Sequence, residues 1–294
     1  MNARRYSKGF PAFLGLAILT LTGCNGSNGN ATLNLGVSDT PVDGATSVVV
    51  SFTGVQVKGS TGAAVEYDFT TAKQVDLMAQ QGGNSASLLS GVSLSPGNYQ
   101  WIRLMVDMSN SSITLSDGTV HPLTIPSGDQ TGLKLVSGFT AGAGDMLNFT
   151  IDFNLRQAIT LASGNYILKP ALRLINNLQV GQISGSAAAT LTIGGLAISD
   201  PLCSPAAYIY AGSNVTPVDI NTTSSVQPLE TASLALNSTT GSYDYTAAFL
   251  VGGAYTVALT CAANDNPATV DVLGFSAAKN VTVTANSTAT VDFP

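Results

Sequence analysis

Histidine and tryptophan each occur once in the 294 residues, cysteine occurs three times, and only 10% of the residues are charged. A Ser-His-Asp triad, a histidine-based acid–base pair or a histidine-rich zinc site would all depend on His121. That residue precedes Pro122 at the far side of a predicted hairpin, where an exposed strand residue is the simpler interpretation. Motifs for a nucleophile elbow, a zincin or a phosphate-binding loop do not occur. We therefore predict that the protein is not an enzyme and needs no cofactor.

The hydrophobic run near the N-terminus is too short to cross a membrane. It covers residues 10–21, which are 12 residues, and it follows Arg4, Arg5 and Lys8. A spanning helix needs ~20 apolar residues, whereas a cationic start and a short apolar core are typical of a signal peptide. We therefore predict a secretory leader over residues 1–23.

The leader ends in Leu21-Thr22-Gly23-Cys24, which resembles the lipobox of bacterial lipoproteins. The resemblance implies cleavage before Cys24, a diacylglycerol thioether on its sulfur, and palmitate-type chains that anchor the protein. Each methylene of an acyl chain that is buried in the bilayer contributes ~0.8 kcal/mol to membrane binding, so two or more chains anchor a protein stably. The alternative is a coincidental cysteine after an ordinary leader. Asn25 after the cysteine favours the outer membrane in a Gram-negative cell.

Removal of the leader makes the remaining chain strongly acidic. Residues 1–23 contain three of the 11 Lys+Arg and none of the 17 Asp+Glu, which leaves 8 against 17 and a net charge of −9. Such a chain has no electrostatic footprint for nucleic acid. Anionic headgroups would also repel it, so we expect the lipid to hold it at the membrane. Residues 25–30 form a polar tether with a reach of roughly 12–15 Å.

From Ala31 onward the sequence predicts strands and turns. Asp117-Gly118 between two alternating segments is a strong hairpin signal. Residues 77–89 lack β-branched side chains and predict a helical turn or two. Regular strand spacing without intervening helices favours antiparallel sandwiches. The predicted strands cover residues 32–37, 48–57, 99–106, 112–115, 119–125, 147–153 and 166–175.

A domain boundary is predicted near residues 179–181. The segment before it looks like the last strand of a first domain of about 150 residues, and a second unit of just over 110 residues follows. Both lengths suffice for a separate hydrophobic core. We therefore predict domains at residues 31–178 and 182–294.

Seven segments in the first predicted domain resemble a bacterial lipoprotein family, the domain of unknown function 4382. The resemblance implies a β-sandwich surface lipoprotein and no established activity. Where the family often has Asp-Ala-Pro, this chain has Asp39-Thr40-Pro41, which keeps the turn chemistry. The segments are LGVSDTP (35–41), VVVSF (48–52), VDL (75–77), PGNYQWIRL (96–104), GLKL (132–135), IDF (151–153) and LKPALR (168–173).

Residues 182–294 are similar to the carboxypeptidase-regulatory, transthyretin-like sandwich. The resemblance implies a spacer or binding platform without catalytic residues. Together the two resemblances imply an all-β protein with two antiparallel β-sandwiches (Ig-like/prealbumin-like) in tandem after a lipoprotein signal peptide. The similar segments are AAYIYAG (206–212), GSYDY (241–245), GAYTVAL (253–259) and VTVTANSTATVDF (281–293).

Cys203 and Cys261 are the two cysteines that remain after Cys24 is assigned to the lipid. An even pair in an oxidising compartment predicts a disulfide. One opens a predicted strand and the other ends one, so antiparallel neighbours would bring them together. The alternatives are two reduced thiols or a metal pair, although no histidine lies nearby.

Four side chains are candidates for binding. Tyr99 and Trp101 would share a face of one strand, where they form either a ligand-stacking platform or part of the core; Tyr208 and Tyr210 pose the same question.

Acidic residues offer weaker candidates. Asp39 and Asp43 flank a proline and could bind Ca²⁺, although turn carboxylates usually accept backbone N–H bonds. Asp107 and Asp152 are expected to point to solvent or to cap a bend.

Two functional hypotheses follow. The favoured one is a non-catalytic, lipid-anchored envelope protein used for adhesion, envelope organisation, or glycan or protein binding. The alternative is an extracellular hydrolase, or an accessory subunit of one, that acts on glycans through an Asp pair.

Overall fold

The protein is almost entirely β-structure, as the sequence predicts. A computed structural model describes residues 29–40, 44–125, 132–162, 164–169, 171–220, 224–261 and 272–294. The only helices in these ranges are a 3₁₀ turn, Leu77–Ala79, and one short helix, α1, Leu155–Ala158. The 3₁₀ turn confirms the helical turn expected within residues 77–89. Asp76 caps it, because its side chain accepts a hydrogen bond from Met78 N.

The first twelve strands form what we call the N-terminal unit, residues 29–178. They are β1 Ala31–Thr40, β2 Ala45–Gly59, β3 Ala64–Asp76, β4 Ala86–Leu94, β5 Gly97–Leu115, β6 Val120–Thr124, β7 Leu133–Leu135, β8 Phe139–Ala141, β9 Met146–Asn154, β10 Ile159–Ala162, β11 Asn165–Leu168 and β12 Leu172–Asn176.

Two sheets make up the N-terminal unit. One has the order β12-β9-β1-β4; the other has the order β10-β11-β6-β5-β2-β3, with β7 and β8 also paired to β5. Most neighbours are antiparallel, but β1 pairs with β9, and β6 with β11, in parallel. Between the sheets lies one apolar core, in which the Phe52 and Phe153 rings meet edge to face at 6.3 Å. Each such buried side chain contributes about 1.5–3 kcal/mol to the stability of the fold.

The strand predicted over residues 166–175 is two strands in different sheets. β11 ends at Leu168 and joins the larger sheet, while β12 starts at Leu172 and joins the smaller one. Pro170 stands between them in the sequence and has no backbone N–H to donate to a ladder. Conversely, the strands predicted at 99–106 and 112–115 are one continuous strand, β5. The Asp117-Gly118 hairpin is confirmed, since β5 and β6 pair across it.

The remaining strands form the C-terminal unit, residues 179–294. They are β13 Val180–Ala187, β14 Thr192–Ile193, β15 Leu196–Ala197, β16 Ala206–Ala211, β17 Glu230–Ser233, β18 Ala235–Leu236, β19 Tyr243–Val251, β20 Gly253–Thr260, β21 Lys279–Val283 and β22 Thr288–Thr290.

Two four-stranded sheets and a small hairpin build the C-terminal unit. The sheets have the orders β18-β19-β13-β22 and β17-β16-β20-β21, and β14 pairs with β15. Both faces of β16 are buried: Ala207 and Ile209 join the core between the sheets, while Tyr208 and Tyr210 join a second cluster with Ile220. The two tyrosines are therefore core residues and not an exposed platform.

The two units have separate cores. Among the described residues, the N-terminal core cluster ends at Leu174 and the clusters of the C-terminal unit begin at Ile183. The units nevertheless touch: Asn286 Nδ2 donates to Leu178 O at 3.5 Å, and a Cβ added at Gly83 would lie 3.4 Å from Ala248 Cβ.

Candidate functional site

The proposed lipid anchor, Cys24, lies outside the described residues. The described chain starts at Gly29, whose carbonyl accepts a hydrogen bond from Gly144 N at 3.2 Å. In the part of the chain that the structure describes, no helix is long and apolar enough to cross a bilayer. Anchoring through Cys24 therefore stays a prediction.

The predicted disulfide between Cys203 and Cys261 is confirmed. Strands β16 and β20 pair with Ala206 opposite Thr260, and Ser204 N donates to Cys261 O at 2.8 Å just beyond the last pair. This antiparallel pairing brings the two Cα atoms to 4.6 Å, within the range that a disulfide requires.

Tyr99 and Trp101 do not share a face, so that prediction is wrong. Gly59 pairs with Tyr99 and Lys58 with Trp101, which leaves Gln100 as an extra residue in β5. Such a β-bulge reverses the alternation of side chains. Tyr99 consequently joins Ile102 on the core side: it is 8% exposed, and its ring stacks on Phe139 at 5.0 Å. Trp101 lies on the outer face.

Two cations contact the Trp101 ring. Arg103 Cζ and Lys134 Nζ each lie 4.8 Å from its centroid, in cation–π geometry. Lys58 in β2 pairs with Trp101 in β5, and Gln56 Oε1 accepts a hydrogen bond from Arg103 Nη1 at 3.0 Å. We call these five side chains the Trp101 face.

The cations of the Trp101 face have no acidic partner within 4 Å among the described residues. Acids on the same side of the sheet include Glu66, which pairs with Gln56, Asp68 further along β3, and Asp107 further along β5. The sequence scatters the cations singly, at positions 58, 103 and 134. Only the pairing of β2, β5 and β7 brings them together. Each cation does alternate with apolar residues in its own strand, and this alternation was a usable signal that all three face away from the core.

A second charged cluster joins the two units. Arg173 Nη2 donates to Asp152 Oδ2 at 2.8 Å and to Glu230 Oε2 at 2.7 Å, and its Nε also donates to Asp152 at 3.0 Å. Arg173 stands directly opposite Asp152 on β12 and β9, whereas Glu230 begins β17 of the C-terminal unit. The expectation that Asp152 points to solvent is wrong, because it is only 4% exposed.

Burial raises the pKa of both carboxyl groups in this cluster. Desolvation is the main cause for Glu230, the Asp152 charge adds to it, and the Arg173 guanidinium opposes both; the resulting pKa is about 8. Desolvation also raises the pKa of Asp152, again against the attraction of Arg173. One guanidinium thus faces two buried carboxyl groups, an arrangement that favours the protonated form of Glu230.

Arg156 makes a further contact between the units. It lies in α1, is buried, and donates from Nη1 to Tyr208 Oη at 3.2 Å, with its Cζ 5.8 Å from the tyrosine ring centroid. Two arginines of the N-terminal unit thus reach polar groups of the C-terminal unit.

A cleft of about 420 Å³ opens beside Arg173, with walls from both units. Polar groups on its walls include Asn154, Gln157, Arg173 and Gln227, and apolar surface comes from Leu172 and Leu229. We call it the junction cleft. A smaller cleft of about 250 Å³ lies on the other side of Glu230 and includes Asp39 and Gly82. Glu230 lines the smaller cleft, whereas Asp152 and Arg173 line the junction cleft.

The other sequence candidates lie apart from these features. His121 is half-buried, with its ring centroid 5.1 Å from that of Tyr166. Asp39 is buried, and its Oδ1 accepts from Leu155 N at 3.4 Å, while Asp43 lies outside the described residues. Within the described ranges, no three or more His, Cys, Asp or Glu side chains are grouped to hold a metal ion. Asp107 caps a bend as expected, accepting from Ser109 N at 3.0 Å.

Residues 30–170 match the family described as "Domain of unknown function (DUF4382)". The match covers most of the N-terminal unit and confirms the resemblance found there in the sequence. No curated protein matches the chain. The description of the family assigns no activity.

Several solved structures are similar at low identity. The Bacillus anthracis TIE protein is 11% identical with a TM-score of 0.21; the likeness covers 90% of this chain and 34% of that one, so this chain spans about a third of its length. A proposed cell adhesion protein from Bacteroides eggerthii is 10% identical, with a TM-score of 0.23 and coverage of 90% and 88%. A proposed polysaccharide binding protein from Bacteroides thetaiotaomicron is 12% identical, with a TM-score of 0.18 and coverage of 79% and 78%. These likenesses assign no ligand to the chain.

Proposed function

We propose that the protein is a non-catalytic binding protein of the bacterial cell envelope, anchored by lipid on Cys24, with its ligand site in the junction cleft. In a Gram-negative cell, Asn25 favours the outer membrane. The sandwich-like C-terminal unit then serves as the second wall of the site and as a spacer, in keeping with its transthyretin-like resemblance.

The observation that carries this proposal is the composition of the junction cleft. Side-chain amides and a guanidinium supply hydrogen-bond groups, and leucines from both units supply apolar surface. A concave site with a few convergent polar groups over apolar surface is the usual form of a small-ligand site. Amides can both donate and accept, which suits the hydroxyl groups of a glycan segment.

The hydrolase alternative has less support. Asp152 and Glu230 form the acidic pair at the junction, but both accept from the same Arg173 nitrogen and both are nearly enclosed. A glycosidase needs one carboxyl group that protonates the leaving oxygen and a second that faces the sugar ring or a water. Carboxyl groups held by a shared guanidinium serve better as a connection between the units.

A binding experiment tests the proposal directly. The mature protein, purified in detergent, would be screened against a glycan panel and envelope fractions, and the Gln157→Leu variant compared with it. We expect about a tenfold loss of affinity, because a buried polar contact is removed. Gln74→Leu is the matched control, since Gln74 is exposed on β3. Equal binding by the Gln157 variant, or no bound glycan or envelope component, would contradict the cleft as the site.

Anchoring is tested separately by mass spectrometry of the N-terminus. We expect Cys24 to carry a thioether-linked diacylglycerol, and Cys24→Ala to leave the membrane fraction. An unmodified Cys24 would remove the anchor from the proposal while leaving the cleft unaffected.

A further inference from the structure

The tether joins the N-terminal unit at one particular end. Ala31 pairs with Leu94, Thr32 N donates to Asp145 O at 2.8 Å, and Asp145 N donates to Gly142 O at 3.2 Å. Gly97, the first residue of β5, pairs with Ala141. The start of β1, the start of β5 and the turn before β9 therefore meet at this tether end.

The Trp101 face begins close to the tether end. Trp101 is four residues along β5 from Gly97, a distance of about 13 Å. Lys58 lies opposite Trp101, and Ser60 N, at the start of the β2–β3 turn, donates to Asn98 O at 2.8 Å. At most about 18 Å of extended chain joins Cys24 to Gly29. A lipid on Cys24 therefore keeps the Trp101 face within reach of the headgroups.

The residues of this face have the chemistry of a membrane interface. Tryptophan concentrates at the boundary between headgroups and acyl chains, and lysine and arginine project their charges to anionic headgroups. Three acids, Glu66, Asp68 and Asp107, lie on the same side of the sheet, but the three cations are grouped around Trp101, although the mature chain carries −9. Positive charge is thus concentrated where the tether requires the protein to approach the bilayer.

We propose that the Trp101 face is a membrane-contact surface that rests on the anionic headgroups of the bilayer in which Cys24 is anchored. This inference rests on the lipid anchor of the proposed function. It also revises the expectation that the acidic chain is only repelled by such a surface, because the repelling charge lies elsewhere on the molecule.

The contact would orient the protein as well as hold it. β1 and β9 run in parallel from the tether end to the junction, where Asp39 pairs with Phe153. Ten residues of β1 extend about 33 Å. The junction cleft therefore lies about 33 Å along β1 from the tether end, outside the Trp101 face.

Trp101 makes the proposal measurable, since it is the only tryptophan in the chain. The chain from Cys24 onward would be coupled through its Cys24 thiol to a maleimide lipid in vesicles; Cys203 and Cys261 are unavailable because they form a disulfide. We expect a headgroup-labelled quencher to reduce Trp101 emission more in vesicles containing phosphatidylglycerol than in phosphatidylcholine alone. High salt should remove the difference.

Charge variants give the expected size. Each basic residue near an anionic surface contributes about 1 kcal/mol to membrane binding. The double substitution Lys58→Gln and Lys134→Gln should therefore lower the equilibrium constant for contact with the bilayer about fivefold per charge removed. Lys279→Gln is the matched control, because Lys279 lies over the Phe293 ring at 5.0 Å in the C-terminal unit. It should leave the quenching unchanged.

Three outcomes would overturn the proposal. The first is equal quenching in neutral and anionic vesicles, and the second is no effect of the Lys58 and Lys134 substitutions. The third is an acidic polysaccharide that shifts Trp101 emission of the untethered protein more than vesicles do, which would assign the face to a glycan. Chemical coupling replaces the cell's own lipidation, so a failure here is distinct from a failure of the Cys24 anchor.

Discussion

The two units reach their stability in different ways. The N-terminal unit has long strands, 15 residues in β2 and 19 in β5, around one continuous apolar core. Strands of the C-terminal unit reach nine residues at most in the described ranges, and its buried side chains form two clusters. A disulfide links the segment before β16 to the residue after β20. Where strands are short and the core is divided, a covalent bond supplies part of the stability.

One local device is common to both units. Tyr99 Oη donates to Ser95 O at 2.7 Å, and Tyr255 Oη donates to Val251 O at 2.6 Å, in each case four residues back. Both tyrosines come two residues after the glycine that starts a strand, Gly97 or Gly253. The hydroxyl closes the preceding turn and fixes the register of the strand.

The largest expected effect comes from removing the disulfide. Cys203→Ser with Cys261→Ser should destabilise the C-terminal unit by about 4 kcal/mol, because the bond closes a loop of 58 residues. Urea unfolding would be followed by Trp101 fluorescence for the N-terminal unit and by circular dichroism for both. Cys24→Ser is the control. A Trp101 transition that moved equally would show that the units unfold as one.

Replacement of Arg173 would test the connection between the units. Arg173→Ala leaves Asp152 and Glu230 without their cation, and losing one member of a buried ion pair costs about 3 kcal/mol or more. We expect the unfolding transitions of both units to move to lower urea and the junction to exchange amide hydrogens faster. Arg103→Ala, on the outer face of the larger sheet, should do neither. Unchanged protection at the junction in Arg173→Ala would mean that other contacts hold the units together.

The same cluster should make stability depend on pH. The pKa of Glu230 is about 8 in the folded protein against 4.5 when exposed, so between these values the folded state holds a proton that the unfolded state has released. Stability should therefore fall as pH rises through this window and level off above it. Glu230→Gln, which resembles the protonated form, should remove this dependence from the urea midpoint. An unchanged slope in the variant would place its origin in another group.

The smallest effects concern the shared tyrosine device. Tyr99→Phe and Tyr255→Phe each remove one hydrogen bond and should each cost about 1 kcal/mol. Tyr99→Phe should shift only the Trp101 transition, and Tyr255→Phe only the transition of the C-terminal unit. Tyr166→Phe, whose side chain is half-buried against His121, is a suitable control.

Much of the architecture could be predicted because it depends on local chemistry. Alternating side chains predicted most strands, Asp117-Gly118 predicted its hairpin, and two cysteines at strand ends predicted their disulfide. Residues 30–170 carried enough of the pattern to match a family of unknown function. Each of these signals lies within a few neighbouring residues or follows from a single pairing.

The sites were decided by the tertiary structure. One extra residue, Gln100, moved Trp101 to the opposite face from Tyr99, and alternation alone does not reveal a bulge. Pairing of distant strands then gathered Lys58, Arg103 and Lys134, and docking of the two units enclosed Asp152, Arg173 and Glu230. The sequence by itself determines which residues can form strands, because that preference is local. Which side chains meet depends on register and docking, and these are set by the packing of the whole chain.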